Sequence, residues 1–286
     1  MPQITIRRAT PADAPACGAI CYQSFFDINT AHNFPPDLPS AEHAVGLLTM
    51  MFSHPGFYSV VAESDGRIIG SNCMDERSPI AGIGPITVET GAQNAGVGRK
   101  LMDAVLARAH DRKFAGVRLL QAAFHNRSLS LYTKLGFDAR EPISTMQGPP
   151  IQKPIDGFHV RPALASDLPA CNRLCRQVHG HDRSGELADA IQQGTAKVVE
   201  HAGRITGYTT SMAFFGHSVG ETVRDIQALI SAADSFGGPG ILVPTRDAAL
   251  FRWCLENGLR VVHPMTLMSM GMYQEPAGSF LPSVTY

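Results

Sequence analysis

Gln93-Asn-Ala-Gly-Val-Gly-Arg-Lys100 is the stretch on which the reading of this chain turns. Before it, Ile83–Val88 alternates as a strand. After it, Val97, Leu101, Val105 and Ala109 fall on one face of a helix running from Gly96 to about Lys113, with Gly116 past its end. Glycines at a strand-to-helix junction let backbone N–H groups approach an anion closely, and the helix N-terminus adds a favourable dipole. Arg99 and Lys100 place formal charge in the first turn. This is the physics of a pyrophosphate cradle, although two glycines before a helix also suit plain tight packing. No Gly-Lys-Ser/Thr follows, and the spacing is not G-x-G-x-x-G, so neither a Walker loop nor a dinucleotide fingerprint is present.

Outward from this loop, the first half alternates helices and strands. A helix is expected around Pro11–Phe25, then an irregular stretch over Asp27–Ser40, then a helix near Ala41–Phe52. Tyr58–Glu63 and Arg67–Cys73 read as strands joined at Asp65-Gly66, a strong hairpin signal. Val117–Phe124 is the next strand and Ser128–Leu135 the next helix. The architecture is α/β with a mixed sheet.

The pattern begins again downstream. Ile4–Asp13 aligns with Phe158–Asp167 at an offset of 154, and the frame continues without gaps through Pro15/Pro169, Cys17/Cys171, Cys21/Cys175 and Gln23/Gln177. Each copy reads as a short strand followed by a helix that Asp13 or Asp167 opens, as an N-cap or dipole partner. Between the copies, Gln147–Gly157 is rich in proline and glycine, which marks a semi-rigid linker. The expected organisation is a domain over 1–147, a linker over 148–157 and a related, shorter domain over 158–286.

Composition limits the partners. The chain has 286 residues, 44% of them hydrophobic and 17% charged, with a formal net charge of −1. Each half is close to electrical balance, so no polybasic footprint points to nucleic acid or an anionic membrane. The N-terminal ten residues contain no apolar signal-like region, and no stretch approaches the roughly 18 apolar residues of a membrane span. A cytoplasmic protein is expected. Cys17/Cys21 and Cys171/Cys175 stand at i,i+4 spacing on one helix face each, without a third ligand beside them, so they are read as core rather than metal ligands.

The second informative run is His125-Asn-Arg-Ser-Leu-Ser-Leu-Tyr132-Thr-Lys-Leu-Gly-Phe137. Q-x-x-G-x-G before a helix, then a strand, then L-Y-x-K-L-G-F, resembles the GNAT superfamily of N-acetyltransferases. The resemblance covers the whole first half in element order. It implies two tandem GNAT-like domains, each a mixed, mostly antiparallel sheet flanked by helices, the second truncated. It also implies that Gln93, Asn94, Ala95, Gly96, Val97, Gly98, Arg99 and Lys100 hold the pyrophosphate of acetyl-CoA, largely by backbone N–H. Ile86, Thr87 and Val88 match the strand that pairs with the pantetheine arm, and that strand should splay from Val117–Phe124 to admit the thioester. Tyr132 matches the tyrosine that protonates the departing thiolate. Seven residues before that tyrosine the family usually has Asn; here His125 stands there and Asn126 is one place late. Either takes the contact to pantetheine or acceptor, with Ser128 beside them, and a histidine there can also move a proton.

For the general base the strand-end acids Glu76, Asp75 and Glu89 are the candidates. The expected reaction is transfer of an acetyl group to a primary amine of a small molecule, by direct attack in a ternary complex and without a metal. Acylation of a protein lysine, or acyl-CoA sensing without catalysis, are the alternatives; oligomeric state is open, a homodimer included. The second half lacks the equipment. With Gly136 aligned to Gly258 the offset falls from 154 to 122, leaving this copy 32 residues shorter, and Cys254 stands where Tyr132 does. Glu221–Ile230 is a plain amphipathic helix with no glycine loop before it, and Tyr273–Tyr286 reads as a tail. A chain with one such loop should bind one acetyl-CoA. Calorimetric titration is expected to give a stoichiometry of one per chain, and two equivalent sites would contradict this reading.

Overall fold

The structure is a computed structural model and describes residues 3–286; Met1 and Pro2, which open the first expected domain, lie outside the described residues. The first half runs β1 (Ile4–Arg8), α1 (Ala14–Ala31), α2 (Ala41–Ser53), β2 (Phe57–Ser64), β3 (Arg67–Asp75), β4 (Ile80–Val88), α3 (Val97–Asp111), β5 (Gly116–Ala122), α4 (Asn126–Lys134) and β6 (Asp138–Gln147). The second half runs β7 (Phe158–Pro162), α5 (Leu168–His179), α6 (Ser184–Gln192), β8 (Lys197–His201), β9 (Arg204–Thr209), β10 (Ser218–Gly220), α7 (Val223–Ser231), β11 (Ile241–Pro244), α8 (Ala248–Glu256), β12 (Arg260–Gly271) and β13 (Ser279–Leu281). The fold is α/β, two tandem domains of mixed sheets flanked by helices, the second shorter.

The repeat extends to individual ion pairs. Arg7 forks both carboxylate oxygens of Asp13 at 2.8 Å and also reaches Glu63. At the offset of the sequence repeat, Arg161 holds Asp167 at 2.7 and 3.0 Å and reaches Glu200. In each copy this fork ties the first strand to the turn that opens the first helix. Each aspartate sits at the end of a short 3-10 turn rather than acting as a simple cap. A bulge recurs at equivalent places, between Ala62 and Glu63 and between Val199 and Glu200.

The two halves are joined by exchanged strands. The large sheet has the order β1-β2-β3-β4-β5-β12-β6-β11, so β12 of the second half lies between β5 and β6 of the first, and β6 lies between β12 and β11. Met265 pairs with Ala122, Ile143 with Pro244, and Ile143 with Met265. Ala122 and Pro244 are equivalent at the offset of 122, as are Ile143 and Met265. The β6–β12 pair therefore lies on a pseudo-twofold axis, and each half supplies the strand that completes the other. Leu267 and Ile143 are buried at this seam with Ile80, Leu242 and Met265.

Several sequence expectations are corrected here. The first helix does not stop near Phe25 but continues to Ala31, because nothing in Phe26–Ala31 breaks it; it ends where Asn33 turns left-handed (φ 59°) and Phe34 N–H donates to Asn29 O. The final segment is not a loose tail. Ser279–Leu281 pairs antiparallel with β10, and the chain beyond it is buried: Val284 N–H donates to Phe214 O, and Tyr286 packs on the guanidinium of Arg118. Within the linker, Ile151 is buried in the second-half core, while Lys153 donates to Asn257. All six cysteines are buried thiols, and burial pushes Cys17 and Cys73 up to about 12. Among the described residues no helix is long and apolar enough to cross a membrane.

A shared seam should make the halves unfold together. Fluorescence of Trp253, the one tryptophan, which lies in the second half, and far-UV circular dichroism are expected to report one coincident thermal transition. Leu267→Ala should lower both signals together, at a cost of about 2–5 kcal/mol. Two separated transitions would show the halves to be independent.

Candidate active site

The site begins where two parallel strands part. β4 and β5 pair only through Ile80–Gly116, Ala81–Val117 and Gly82–Arg118. Beyond that point β4 is paired with β3 alone and β5 with β12 alone, so the strands diverge as expected. A cavity of about 930 Å³ opens in the wedge. Ile86, Thr87 and Val88 form one wall, Leu119, Leu120 and Gln121 the other, and α1 contributes Ser24, Phe25 and Ile28. An unpaired strand edge of this kind can accept an extended ligand by adding a strand.

At one end of the wedge stands the glycine loop. Asn94 (φ 68°) and Gly96 (φ 81°) are both left-handed, and α3 starts at Val97. Lys100 N–H donates to Gly96 O, the first bond of the helix, so the N–H groups of Val97, Gly98 and Arg99 have no helical acceptor. The two glycines have different reasons. Gly96 is required by its backbone angle. Gly98 is ordinary helix, and an added Cβ would meet only Leu131 at 3.6 Å and Val88 at 3.8 Å. The protein itself has room for a side chain at Gly98; the cavity in front of it is what a larger one would fill. Gln93, Asn94, Gly96, Val97, Gly98 and Arg99 line the cavity, whereas Ala95 and Lys100 do not. Gln93 braces the loop from its side chain, donating to Val88 O at 3.3 Å and accepting from Arg127 at 2.8 Å. The sequence reading missed that brace.

Tyr132, on α4, lines the cavity and also packs in the first-half core against Phe137, with ring centroids 6.2 Å apart. Burial pushes its phenol above the ordinary range, so it stays protonated. Among the described residues the hydroxyl has no hydrogen-bond partner. His125 also lines the cavity, and burial, aided by Arg127 and His32, lowers its pKa, so the ring is neutral near pH 7. Asn126 and Ser128 lie on the same rim. Ser128 donates to His125 O and accepts from Gln121, whose amide also reaches His125 O, which together fix the junction of β5 and α4.

A splayed parallel strand pair, three free N–H groups at a helix start, and a protonated tyrosine facing the gap now stand together. Residues 22–137 match the acetyltransferase (GNAT) family. The fold likeness covers both halves. A Pyrococcus horikoshii protein with a provisional acetyltransferase assignment superposes with a TM-score of 0.73 at 17% identity, over 94% of this chain and 89% of the other. A GCN5-related N-acetyltransferase from Sphaerobacter thermophilus gives 0.62 at 17% identity, over 95% and 96%. At such identity these likenesses establish the fold alone. No curated protein matches the chain.

Within the GNAT-like first domain the three carboxylates expected as bases are engaged elsewhere. Glu76 takes two hydrogen bonds from Arg108 at 2.8 and 3.0 Å and does not line the cavity. Asp75 is buried in the fork of Arg77, which also reaches Asp189 of the second half at 2.9 Å. Glu89 pairs with Arg67 at 2.5 Å, which lowers its pKa. Each is a strand-end acid next to an arginine, and the arginine decides its role. The acids that do line the cavity, Asp27 and Asp37, lie in or just after the α1 extension. Asp27 accepts from Gln23 and Thr90; Asp37 accepts from His263 of β12 at 2.8 Å. The second half also supplies Phe214, Phe215, Met265 and Val284 to this end of the cavity.

Gly98→Val tests the loop directly. The fold should persist, since the helix gains a better former at that position, while affinity for CoA measured by calorimetry should fall roughly 100-fold or more, about 2.7 kcal/mol. Unchanged affinity in the folded variant would remove the phosphate-cradle assignment.

Proposed function

We propose that the protein is an acyl-CoA-dependent N-acyltransferase that moves an acetyl group from acetyl-CoA to a primary amine of a small molecule, in a ternary complex and with no metal. The observation that carries this is the open wedge between β4 and β5, continuous with free N–H groups at one end and Tyr132 beside it. In this reading the loop from Gln93 to Arg99 holds the pyrophosphate, with Arg99, Arg127 and Lys134 supplying charge around it. The β4 edge over Ile86–Val88 pairs with the pantetheine arm, and a β4 N–H polarises the thioester carbonyl.

The amine attacks the carbonyl carbon, the C–S bond breaks, and the products are an amide and a thiol. Two protons must move. His125, kept neutral by burial, is the cavity group suited to accept one from the amine. Tyr132, kept protonated, donates to the departing sulfur. A phenol with a raised pKa is a weaker acid than a thiol, whose pKa is about 8.5. Its main effect is therefore a hydrogen bond that stabilises the developing thiolate.

A small acceptor is favoured over a protein lysine by the roof of the cavity. Asp37 and Leu38 of the 32–40 connection line it, as do Phe214 and Phe215 of the second half. Tyr132's unengaged hydroxyl supports catalysis over sensing alone. The second half, in this proposal, binds no acyl-CoA: β13 already pairs with β10, its counterpart of β4, and packs against β11. A soluble protein without nucleic-acid or membrane partners fits the charge balance; location in the cytoplasm and any homodimer are part of the same proposal.

Tyr132→Phe keeps the ring packing and removes the hydroxyl. Turnover, followed by thiol release from acetyl-CoA across a set of primary amines, should drop at the lower end of the roughly 10²–10⁴-fold range of general acid catalysis, with CoA affinity little changed. Wild-type turnover in the variant would reduce Tyr132 to a core residue.

A further inference from the structure

We propose that Asp37 anchors the ammonium group of the acceptor and that the acceptor is an apolar, ring-bearing primary amine. This rests on the acyl-transfer reading of the same cavity and adds the class of substrate and the residue that selects it.

The anchor is held from the exchanged strands. His263, on β12, is almost fully buried; its Nε2 lies 2.8 Å from Asp37 Oδ1 and its Nδ1 lies 3.2 Å from Thr145 Oγ1 on β6. A carboxylate only accepts, so Nε2–H donates to it; in the neutral ring Nδ1 then accepts from the Thr145 hydroxyl. The relay uses both ring nitrogens of His263 and fixes the ring. It leaves Asp37 Oδ2 without a partner among the described residues, on a residue that lines the cavity.

Among the residues that line this end of the cavity, several are apolar. Phe214, which lines the cavity together with Phe215, stands edge-on to His263 at 6.3 Å, while Phe34 and Phe124, outside the lining, flank the same ring at 6.1 and 6.0 Å. Leu38 and Met265 complete the end. The cations that line the cavity, Arg99, Arg127 and Lys134, sit at the start of α3 and on α4. Asp27, the other acid, is occupied by Gln23 and Thr90. A carboxylate oxygen without a protein partner, on a cavity lining with few other polar groups at this end, is best met by a cation. An ammonium meets it, and Phe214 and Phe215, which line the cavity, offer apolar contact to a ring carried by the same ligand. A ligand of the same shape without the charge leaves the carboxylate unmatched and is rejected.

The test uses the full chain saturated with CoA and three probes: 2-phenylethylamine, 2-phenylethanol and ethylamine. Calorimetry should show the aromatic amine binding at least tenfold tighter than either of the others. Asp37→Asn should abolish the preference for amine over alcohol, with CoA affinity within twofold of wild type. Thr145→Val, which frees one side of His263, should weaken the amine and leave the alcohol unchanged. Equal binding of amine and alcohol by the wild type would overturn the proposal without needing any variant, as would discrimination that survives in Asp37→Asn. Failure of the wild type to bind CoA would instead overturn the acyl-transfer reading beneath it.

Discussion

The antiparallel pairing of β6 with β12 is the constraint on which the rest of the molecule depends. Each of these strands belongs to one half by sequence and completes the sheet of the other. Without β12, β5 would present an unpaired edge on the side away from β4, and β6 would lie apart from its own sheet. Unpaired edges invite association with other chains, and the exchange removes two of them at once. It does so symmetrically: Ile143 faces Met265, its own equivalent in the repeat. The halves are therefore not beads on the linker at 148–157. They form one ladder of backbone hydrogen bonds, and the second half is a structural part of the first half's wedge.

Two equivalent wedges receive different fillings. In the first half β4 and β5 separate after three paired positions, and the space between them is a cavity. In the second half the corresponding strand β10 is only three residues long, and β13 pairs with it. The chain thus supplies to its own second wedge an extended strand that the first wedge lacks. The 32 residues by which the second copy is shorter lie between its start and the end of α8. They include whatever would have formed a second glycine loop. The same tail then passes on to the first half, where Thr285 O lies so close to Gly82 that no side chain fits there.

What could be read from sequence was what is encoded locally. The loop at Gln93–Gly98 depends on the left-handed Asn94 and Gly96 and on a helix start, all properties of consecutive residues, and its position in the fold follows from them. The repeat was legible because Arg7/Arg161 and Asp13/Asp167 recur in one frame, although their role as forks needed the strands in place. The exchange was not legible: β12 alternates no differently whether it pairs with its own half or the other. Nor could Glu76 be separated from a catalytic acid, because its partner Arg108 lies 32 residues away on α3. Asp37 and His263 stand 226 residues apart, and only the β6–β12 seam brings them together.

That last pair shows why the exchange bears on chemistry and not only on stability. The loop, the β4 edge and Tyr132, which the proposed function assigns to the acyl donor, all come from the first half. It supplies an acid, Asp37, but nothing to orient it, since residues 32–40 form a connection without strand or helix of their own. The orienting group comes from β12, and β12 is rigid because it is paired on both sides, with β5 and with β6. Thr145 on β6 then fixes the ring of His263 from the other side. A loop residue is thereby given the precision of a sheet residue, which a site selecting between an amine and its neutral analogue requires. The cavity consequently has two chemically distinct ends. The cations at α3 and α4 belong to the first half alone; the carboxylate end, with its aromatic walls, is a joint product of both. On the proposed reading, changing the second half should alter which acceptor is used, while leaving the loop at Gln93–Arg99 as the first half built it.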